Sequence, residues 1–207
     1  MIVPERAMSA GTMLACSAKS ILMGSHSFLG PIDPQFDGIP AYNIKTEFEK
    51  AEKDLSKNEA TFPFWQLQLA KYPAAFYYRV IDAIKLSSHL TSEWLNQYMF
   101  NDLSEAERKR KVKKIVSKLN ANNMSHARPF SIDFCNEIEL NIEVLEQDSL
   151  LQEYVLSVHN VFLVAFDLSD CSKIIQNHLG VRYISHQPPP TMLMPQSIIP
   201  VPQIRRI

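Results

Sequence analysis

The chain has little glycine, few cysteines and almost no excess charge. Its 207 residues include only 5 glycines and 3 cysteines, and the formal net charge is −1. A near-neutral chain lacks the positive field that attracts nucleic acid or an anionic membrane surface, so we expect neither as the principal partner. The cysteines, Cys16, Cys135 and Cys171, show no CxxC spacing and stand among apolar neighbours. This predicts buried free thiols in a reducing, cytoplasmic compartment.

Several other features are missing from the sequence. No apolar run reaches the roughly 18–20 residues that a transmembrane helix needs, so we expect no membrane segment in this chain. The opening "MIVPERAM" lacks the ordered regions of a secretory signal peptide. We also find no glycine-rich phosphate loop, no dinucleotide fingerprint and no His/Glu pair at metal-ligand spacing, and therefore expect no cofactor and no metal.

The apolar periodicity predicts an α/β protein with few strands and many helices. Two capping patterns, Thr46 with Glu49 and Ser104 with Glu107, predict helix starts. Predicted strands cover residues 1–3, 20–23 and 142–145; predicted helices cover 9–18, 74–100, 131–140, 149–166 and 172–180 and begin near 46 and 104. Residues 1–180 are predicted as one domain, and the proline-rich residues 181–207 as a flexible tail.

Ser9, in "AMSAGTMLACSA", stands between small residues at the start of a predicted helix. Such a serine is most simply an N-cap whose hydroxyl bonds an early N–H group. It is alternatively a nucleophile, because the free N–H groups of a helix start can stabilise an oxyanion. The short string alone favours the cap.

An acid and a histidine that suit a serine nucleophile occur further along the chain. Asp33, in "SFLGPIDPQF", is a turn residue before proline or a carboxylate that orients an imidazole. His126, in "NNMSHARPF", occupies a polar loop and is a solvated side chain or a proton carrier. His26 is the local rival for that second role.

Two conspicuous stretches have simpler interpretations. The basic run from Arg108 to Lys118 contains no aromatic residues, so it is interpreted as the solvated face of a helix rather than a nucleic-acid patch. The aromatic residues within 62–78 are interpreted as core or as an oligomer contact rather than a cofactor site.

The segment "VPERAMSAGTMLACSAKSILMGSHSFLGPIDPQF" resembles the serine dehydrogenase proteinase family, relatives of the Clp protease and signal peptide peptidase A within the ClpP/crotonase superfamily. Its "AMSAGT" and "LGPIDPQ" motifs are the most specific parts. The blocks "SHARPFSIDFCNEIELNIEVLEQDSLLQEYVLSVHNVFLVAF" and "KIIQNHLG" resemble the C-terminal half of the family. The resemblance covers residues 1–180.

This resemblance implies a ClpP/crotonase-like α/β fold, incomplete at the N-terminus and helix-rich in its C-terminal half. It also implies a serine peptidase with a triad in the order Ser9, Asp33, His126, in which the Ala10 N–H is an oxyanion donor. The implied substrate is a polypeptide, and the implied assembly is a homo-oligomer.

The sequence departs from the family pattern in two places. Ala127 follows His126 where a glycine is expected, and the chain starts just before the nucleophile. The family supplies further strands and a second oxyanion N–H from upstream sequence, so we expect weak or no activity from this chain alone. Two alternatives remain open: a catalytically silent assembly subunit, and a Ser–Lys dyad peptidase that uses Lys45 or Lys50 as its base.

Overall fold

The computed structural model describes residues 1–120 and 128–186, and it divides into two compact units, Met1–Val155 and Leu156–Ile207. Helix α7 begins in the first unit and ends in the second. The strands are β1 (Ile2–Val3), β2 (Arg6–Ala7), β3 (Ile21–Met23), β4 (Phe28–Leu29), β5 (Gln35–Phe36), β6 (Ile39–Pro40), β7 (Ile142–Val144), β8 (Cys171–Gln176) and β9 (Arg182–His186). The α-helices are α1 (Ala10–Cys16), α2 (Ala41–Lys57), α3 (Phe62–Leu69), α4 (Phe76–Trp94), α5 (Glu105–Leu119), α6 (Ile132–Glu137) and α7 (Ser149–Asp167).

A parallel sheet of three strands lies in the first unit. β3 is its central strand and pairs with β1 on one side and β7 on the other. Ile21 and Met23 of β3 are fully buried, as expected for a strand covered on both faces. Parallel neighbours need a crossover connection, and α1 lies within the connection from β1 to β3. The predicted strands and the α/β class are confirmed.

A second parallel pair of strands lies in the same unit. β2 pairs with β4, with Ala7 opposite Leu29. Leu29 also forms an antiparallel bridge with Phe130, which lies far along the chain. β4 therefore connects the segment before α1 with the segment before α6.

The core of this unit is built by the sheet and the helices around it. Three apolar residues of α5, Val112, Ile115 and Leu119, are buried, Val116 packs partly buried against the same core, and the basic residues lie on the other side. Ser104 caps α5, because its hydroxyl donates to Glu107 Oε2 at 2.6 Å and accepts from the Glu107 N–H at 3.5 Å. The predicted solvated basic face and the predicted capping pair are both confirmed.

Two predicted helix positions are wrong. Helix α2 begins at Ala41 rather than near Thr46, because the Ala41 N–H bonds the Pro34 carbonyl at 2.8 Å and starts the helix earlier. The Thr46 hydroxyl instead donates to the Tyr42 carbonyl within the helix, at 2.8 Å. The predicted helix over 172–180 is also absent, because β8 occupies most of that stretch.

The second unit contains the end of α7 and an antiparallel hairpin of β8 and β9. The last described residues, Arg182–His186, form β9, and residues 187–207 lie outside the described residues, so the proline-rich tail stays a prediction. Among the described residues, helix α7 is long and apolar enough to cross a membrane by length and composition. A single helix of this kind does not establish a membrane span, because core helices of soluble proteins meet the same criterion.

Candidate active site

Ser9 lies in a sharp turn between a strand and a helix. β2 ends at Ala7, and α1 begins at Ala10. The backbone of Ser9 has φ 49° and ψ −110°, a combination that costs a non-glycine residue of order 1–3 kcal/mol. Its hydroxyl makes no capping hydrogen bond to α1, so the simple N-cap interpretation is wrong. A strained strand-to-helix turn is the arrangement that presents the nucleophile in many hydrolases.

Small residues allow this turn to pack closely against its surroundings. A Cβ atom on Gly30 would lie 2.3 Å from Met8 Sδ, so the glycine leaves the space that the Met8 side chain fills. A Cβ atom on Gly11 would lie 3.3 Å from Ala7 Cβ. Met8, the residue before Ser9, is therefore packed directly on the "LGPID" loop.

Thr12 joins the Ser9 turn to this loop by hydrogen bonds. It is fully buried in α1, and its Oγ1 lies 2.7 Å from the Ala7 carbonyl oxygen and 2.8 Å from the Gly30 carbonyl oxygen. Either oxygen can accept the single hydroxyl proton, while the Gly30 N–H donates to both Thr12 Oγ1 at 3.2 Å and the Ala7 carbonyl at 2.9 Å. The sequence analysis missed Thr12; its signal was a polar side chain within the apolar face of a short helix.

Asp33 is the acidic residue of the adjoining loop. It is only 7% exposed, and the loop residues before it, Gly30 to Ile32, are buried as well. The pKa of Tyr42 is raised, first by burial and further by the negative charge of Asp33. The structure thus places a buried carboxylate on the loop that is hydrogen-bonded to the Ser9 turn.

His126 lies outside the described residues, but both flanks of its segment are described. On one side, the Leu119 carbonyl accepts from the Ile32 N–H at 2.9 Å. On the other side, Phe130 and Leu29 exchange two backbone bonds, of 2.8 and 3.0 Å. The chain therefore leaves this loop at residue 119 and returns to it at residue 130.

The alternative general bases, His26, Lys45 and Lys50, lie in different environments. His26 is exposed, and the pKa of the neighbouring Glu146 is lowered mainly by the backbone N–H of Ser25. Lys45 and Lys50 both lie on α2, and each forms an ion pair with the carboxylate four residues later, at 2.6 Å to Glu49 and 3.0 Å to Asp54. Both lysines therefore contact acidic side chains of their own helix.

The thiols offer no alternative nucleophile in the core. Burial raises the pKa of both Cys16 and Cys135 to about 12, which keeps both protonated at neutral pH. Both are free and buried as predicted, whereas Cys171 is partly exposed. Across residues 1–120 and 128–186, no group of three His, Cys, Asp or Glu side chains is placed to hold a metal ion.

Comparison with known proteins identifies a family that the N-terminal segment resembles. Residues 1–63 match the family model described as "ClpP-like SDH-type serine proteinase", which confirms the resemblance over the segment that contains Ser9 and Asp33. Two uncharacterized proteins of Methanocaldococcus jannaschii, MJ0137 and MJ1495, are each 24% identical to this chain, over 146 and 147 residues. These alignments cover 69% and 70% of this chain but only 43% and 42% of the relatives, so the chain spans less than half of their length. No solved structure matches the chain.

Proposed function

We propose that this chain is a serine peptidase-type hydrolase of ClpP/crotonase-like fold, with Ser9 as nucleophile, Asp33 as orienting acid and His126 as base. The substrate is a polypeptide, and the active form is a homo-oligomer. The family match over residues 1–63 supports the hydrolase class.

The backbone of Ser9 is the observation that carries the proposal. A serine held at φ 49° and ψ −110°, with its hydroxyl not used to cap the helix, needs a reason for its strain. Hydrogen bonds then join the turn to the Asp33 loop through Thr12 and Gly30, and join that loop to Leu119 and Phe130. These contacts bring the flanks of the His126 segment to the loop that carries the acid.

In the proposed reaction His126 accepts the proton of Ser9 as Oγ attacks the carbonyl carbon of a peptide bond. Asp33 orients the imidazole and stabilises its charged form. The Ala10 N–H stands at the first position of α1, where no helical carbonyl accepts it, and it donates to the oxyanion. His126 passes the proton to the leaving amine, and water then hydrolyses the acyl-enzyme by the reverse sequence.

A serine-reactive fluorophosphonate, read out by mass spectrometry of the intact chain and its peptides, tests the proposal. We expect one adduct, on Ser9, that is lost in Ser9→Ala and retained in the control Ser17→Ala, because Ser17 bonds only the end of α1. His126→Ala abolishes the adduct, whereas His26→Ala and Lys45→Ala retain it.

Three results would contradict the proposal. An unlabelled parent chain that is folded by circular dichroism would indicate a catalytically silent assembly subunit. Labelling that survives His126→Ala but is lost in Lys45→Ala or Lys50→Ala would indicate a Ser–Lys dyad. Labelling of serines other than Ser9 would remove the nucleophile assignment.

A further inference from the structure

The end of α7 and the β8–β9 hairpin form a cavity within the second unit. Its volume is about 490 Å³, and its middle is lined by apolar side chains, Val161 and Phe162 from the helix and Ile174 and Ile184 from the hairpin. Binding sites for small molecules commonly measure about 300–1,000 Å³ and combine apolar walls with a few polar groups that orient the ligand. The cavity therefore has the size and the lining of a small-molecule site.

One face of the hairpin forms a wall of this cavity. Ile184 and Arg182 both line it, and strand alternation places His186 on the same face as these two residues. Lys173 lies on the opposite face, because it pairs with Ser185. The two cationic side chains of the hairpin thus differ in position: Arg182 faces the cavity, whereas Lys173 does not.

One end of the cavity is polar and positively charged. Gln176 pairs with Arg182 across the strands, and both side chains line the cavity together with Ser157 of α7. Within residues 1–120 and 128–186, no carboxylate forms an ion pair with Arg182. The hairpin itself, residues 171–186, contains no acidic residue. This end therefore offers a guanidinium group to an anionic ligand.

The other end of the cavity carries a thiol. Cys171 lines the cavity and pairs with His186 across the strands. Ala165 of α7 lies at this end, because Ser169 Oγ donates to the Ala165 carbonyl at 2.6 Å and accepts from the Cys171 N–H at 3.3 Å. Asp170 Oδ1 lies 2.8 Å from His186 Nδ1. Since a carboxylate is already present at the thiol end, an anionic ligand group is favoured at the Arg182 end.

The distance between the two ends is similar on both walls. At about 3.3 Å per residue, positions 182 and 186 of β9 lie about 13 Å apart along the strand. At about 1.5 Å per residue, Ser157 and Ala165 of α7 lie about 12 Å apart along the helix axis. The cavity is therefore elongated, with a cation at one end and an uncharged, apolar middle.

We propose that this cavity binds a medium-chain fatty acid, with the carboxylate on Arg182 and the hydrocarbon chain extending between α7 and the hairpin towards Cys171. A guanidinium group can bind both oxygens of a carboxylate. The chain removes apolar surface of the helix and the hairpin from water, which favours binding. The inference goes beyond the proposed hydrolase function and is independent of the chemistry at Ser9.

The lining favours an aliphatic chain over the apolar C-terminus of a peptide. The side chains between the two ends, Val158, Val161, Phe162, Ile174 and Ile184, offer no hydrogen-bond partner. Peptide groups buried among them without partners would cost free energy, whereas methylene groups need no partner. The shared carboxylate chemistry therefore points to a fatty acid as the ligand.

Protection of the Cys171 thiol by decanoate tests the inference. Cys171 is partly exposed, whereas Cys16 and Cys135 are buried, so N-ethylmaleimide should modify Cys171 first in the folded chain. We expect decanoate, below its micelle-forming concentration, to slow this modification at least tenfold at saturation. Affinity should rise from hexanoate to decanoate, by up to about fourfold per added methylene group. Decanol, which lacks the carboxylate, should bind more weakly than decanoate.

Arg182→Gln and Lys173→Gln form a matched pair, because each removes one positive charge from the hairpin and only Arg182 lines the cavity. Arg182→Gln should raise the dissociation constant of decanoate about tenfold and leave that of decanol unchanged. Lys173→Gln should leave both unchanged. Ser9→Ala should be protected like the parent, which separates this site from the catalytic one. Circular dichroism with and without decanoate shows that each chain stays folded.

Four outcomes would overturn the inference. The first is an unchanged rate of Cys171 modification in the presence of decanoate, and the second is an equal effect of Arg182→Gln and Lys173→Gln. The third is loss of protection in Ser9→Ala, which would place the decanoate at the catalytic site. The fourth is protection by an apolar peptide with a free C-terminal carboxylate at lower concentrations than by decanoate, which would assign the cavity to a peptide terminus.

Discussion

The Ser9 turn and the α7–hairpin unit differ in the groups that they bury. In the turn, polar groups are buried, and the contacts of Thr12 with Ala7 and Gly30 satisfy them inside one chain. In the α7–hairpin unit, apolar groups are exposed, and the described part of the chain does not cover them. The Ser9 turn is therefore held by contacts within its own chain, whereas the second unit leaves apolar surface exposed among the described residues.

The largest expected effect comes from matched leucine truncations in the two regions. Leu119→Ala, at a fully buried position, should destabilise the chain by about 2–5 kcal/mol, because it leaves a cavity in the core. Leu168→Ala, at a position 82% exposed, should change stability by no more than about 0.5 kcal/mol. Urea unfolding, at a protein concentration too low for self-association, measures the change in the free energy of unfolding of both variants. Equal losses of this free energy would show that the second unit is as well packed as the first.

Removal of the Thr12 hydroxyl should affect both stability and chemistry. Thr12→Val keeps the shape but takes the hydroxyl away from the buried Gly30 carbonyl, at a cost of about 1–3 kcal/mol, whereas the Ala7 carbonyl keeps its bond from the Gly30 N–H. It should also slow fluorophosphonate labelling of Ser9 by about 10², because the turn loses its fixed position. Thr12→Ser retains the hydroxyl and should restore most of the labelling rate. If Thr12→Val labels as fast as the parent, Thr12 does not position the turn.

Relief of backbone strain should separate stability from function. Ser9→Gly should stabilise the chain by about 1 kcal/mol, because glycine adopts φ 49° and ψ −110° without a Cβ clash, while it abolishes labelling. Ser9→Ala keeps a Cβ atom and should abolish labelling without that gain in melting temperature. A Ser9→Gly chain less stable than Ser9→Ala would contradict the assignment of strain to this turn.

The smallest effect concerns an ion-pair cluster that joins α5 to the turn before β7. Arg110 and Lys114 bond the Glu139 carboxylate and lower its pKa to about 2. A lowered folded-state pKa stabilises the fold above the ordinary glutamate pKa, and this stabilisation is lost as the pH falls towards 2. Glu139→Gln should therefore reduce stability slightly at neutral pH and make the loss of stability in acid less steep. Thermal unfolding between pH 2 and pH 7 measures how the melting temperature falls with pH. If it falls as steeply in Glu139→Gln as in the parent, the ion-pair cluster is not the source of the acid sensitivity.

Local sequence signals predicted the elements whose causes are local. The Ser104–Glu107 capping pair and the apolar stripe of α5 were sufficient to place that helix, and the apolar run at Ile21–Met23 was sufficient for β3. The start of α2 was misplaced, because the bond from Ala41 to Pro34 depends on how the preceding loop folds back.

The hairpin was missed for a similar reason. Two adjacent isoleucines are compatible with either a helix or a strand. The Asn177 side chain favours the hairpin turn, because its Oδ1 accepts from the Leu179 and Val181 N–H groups. Gly180 at φ 81° then completes the turn.

The candidate site was predictable in its residues but not in its geometry. Ser9 and Asp33 were selected from their motifs and a family resemblance, which the match over residues 1–63 confirms at the level of the family. The role of Thr12 could not be predicted, because it depends on a contact with Gly30, 18 residues away. The role of His126 stays a prediction.

The pH dependence of Ser9 modification tests the central claim most directly. The second-order rate constant for fluorophosphonate labelling of Ser9 should rise with pH in one step, because an imidazole acts as a base only after it has lost its proton. His126→Ala should remove that step and lower the plateau by about 10² or more, whereas His26→Ala should leave the profile unchanged. A profile and plateau that are the same in His126→Ala as in the parent would contradict the account.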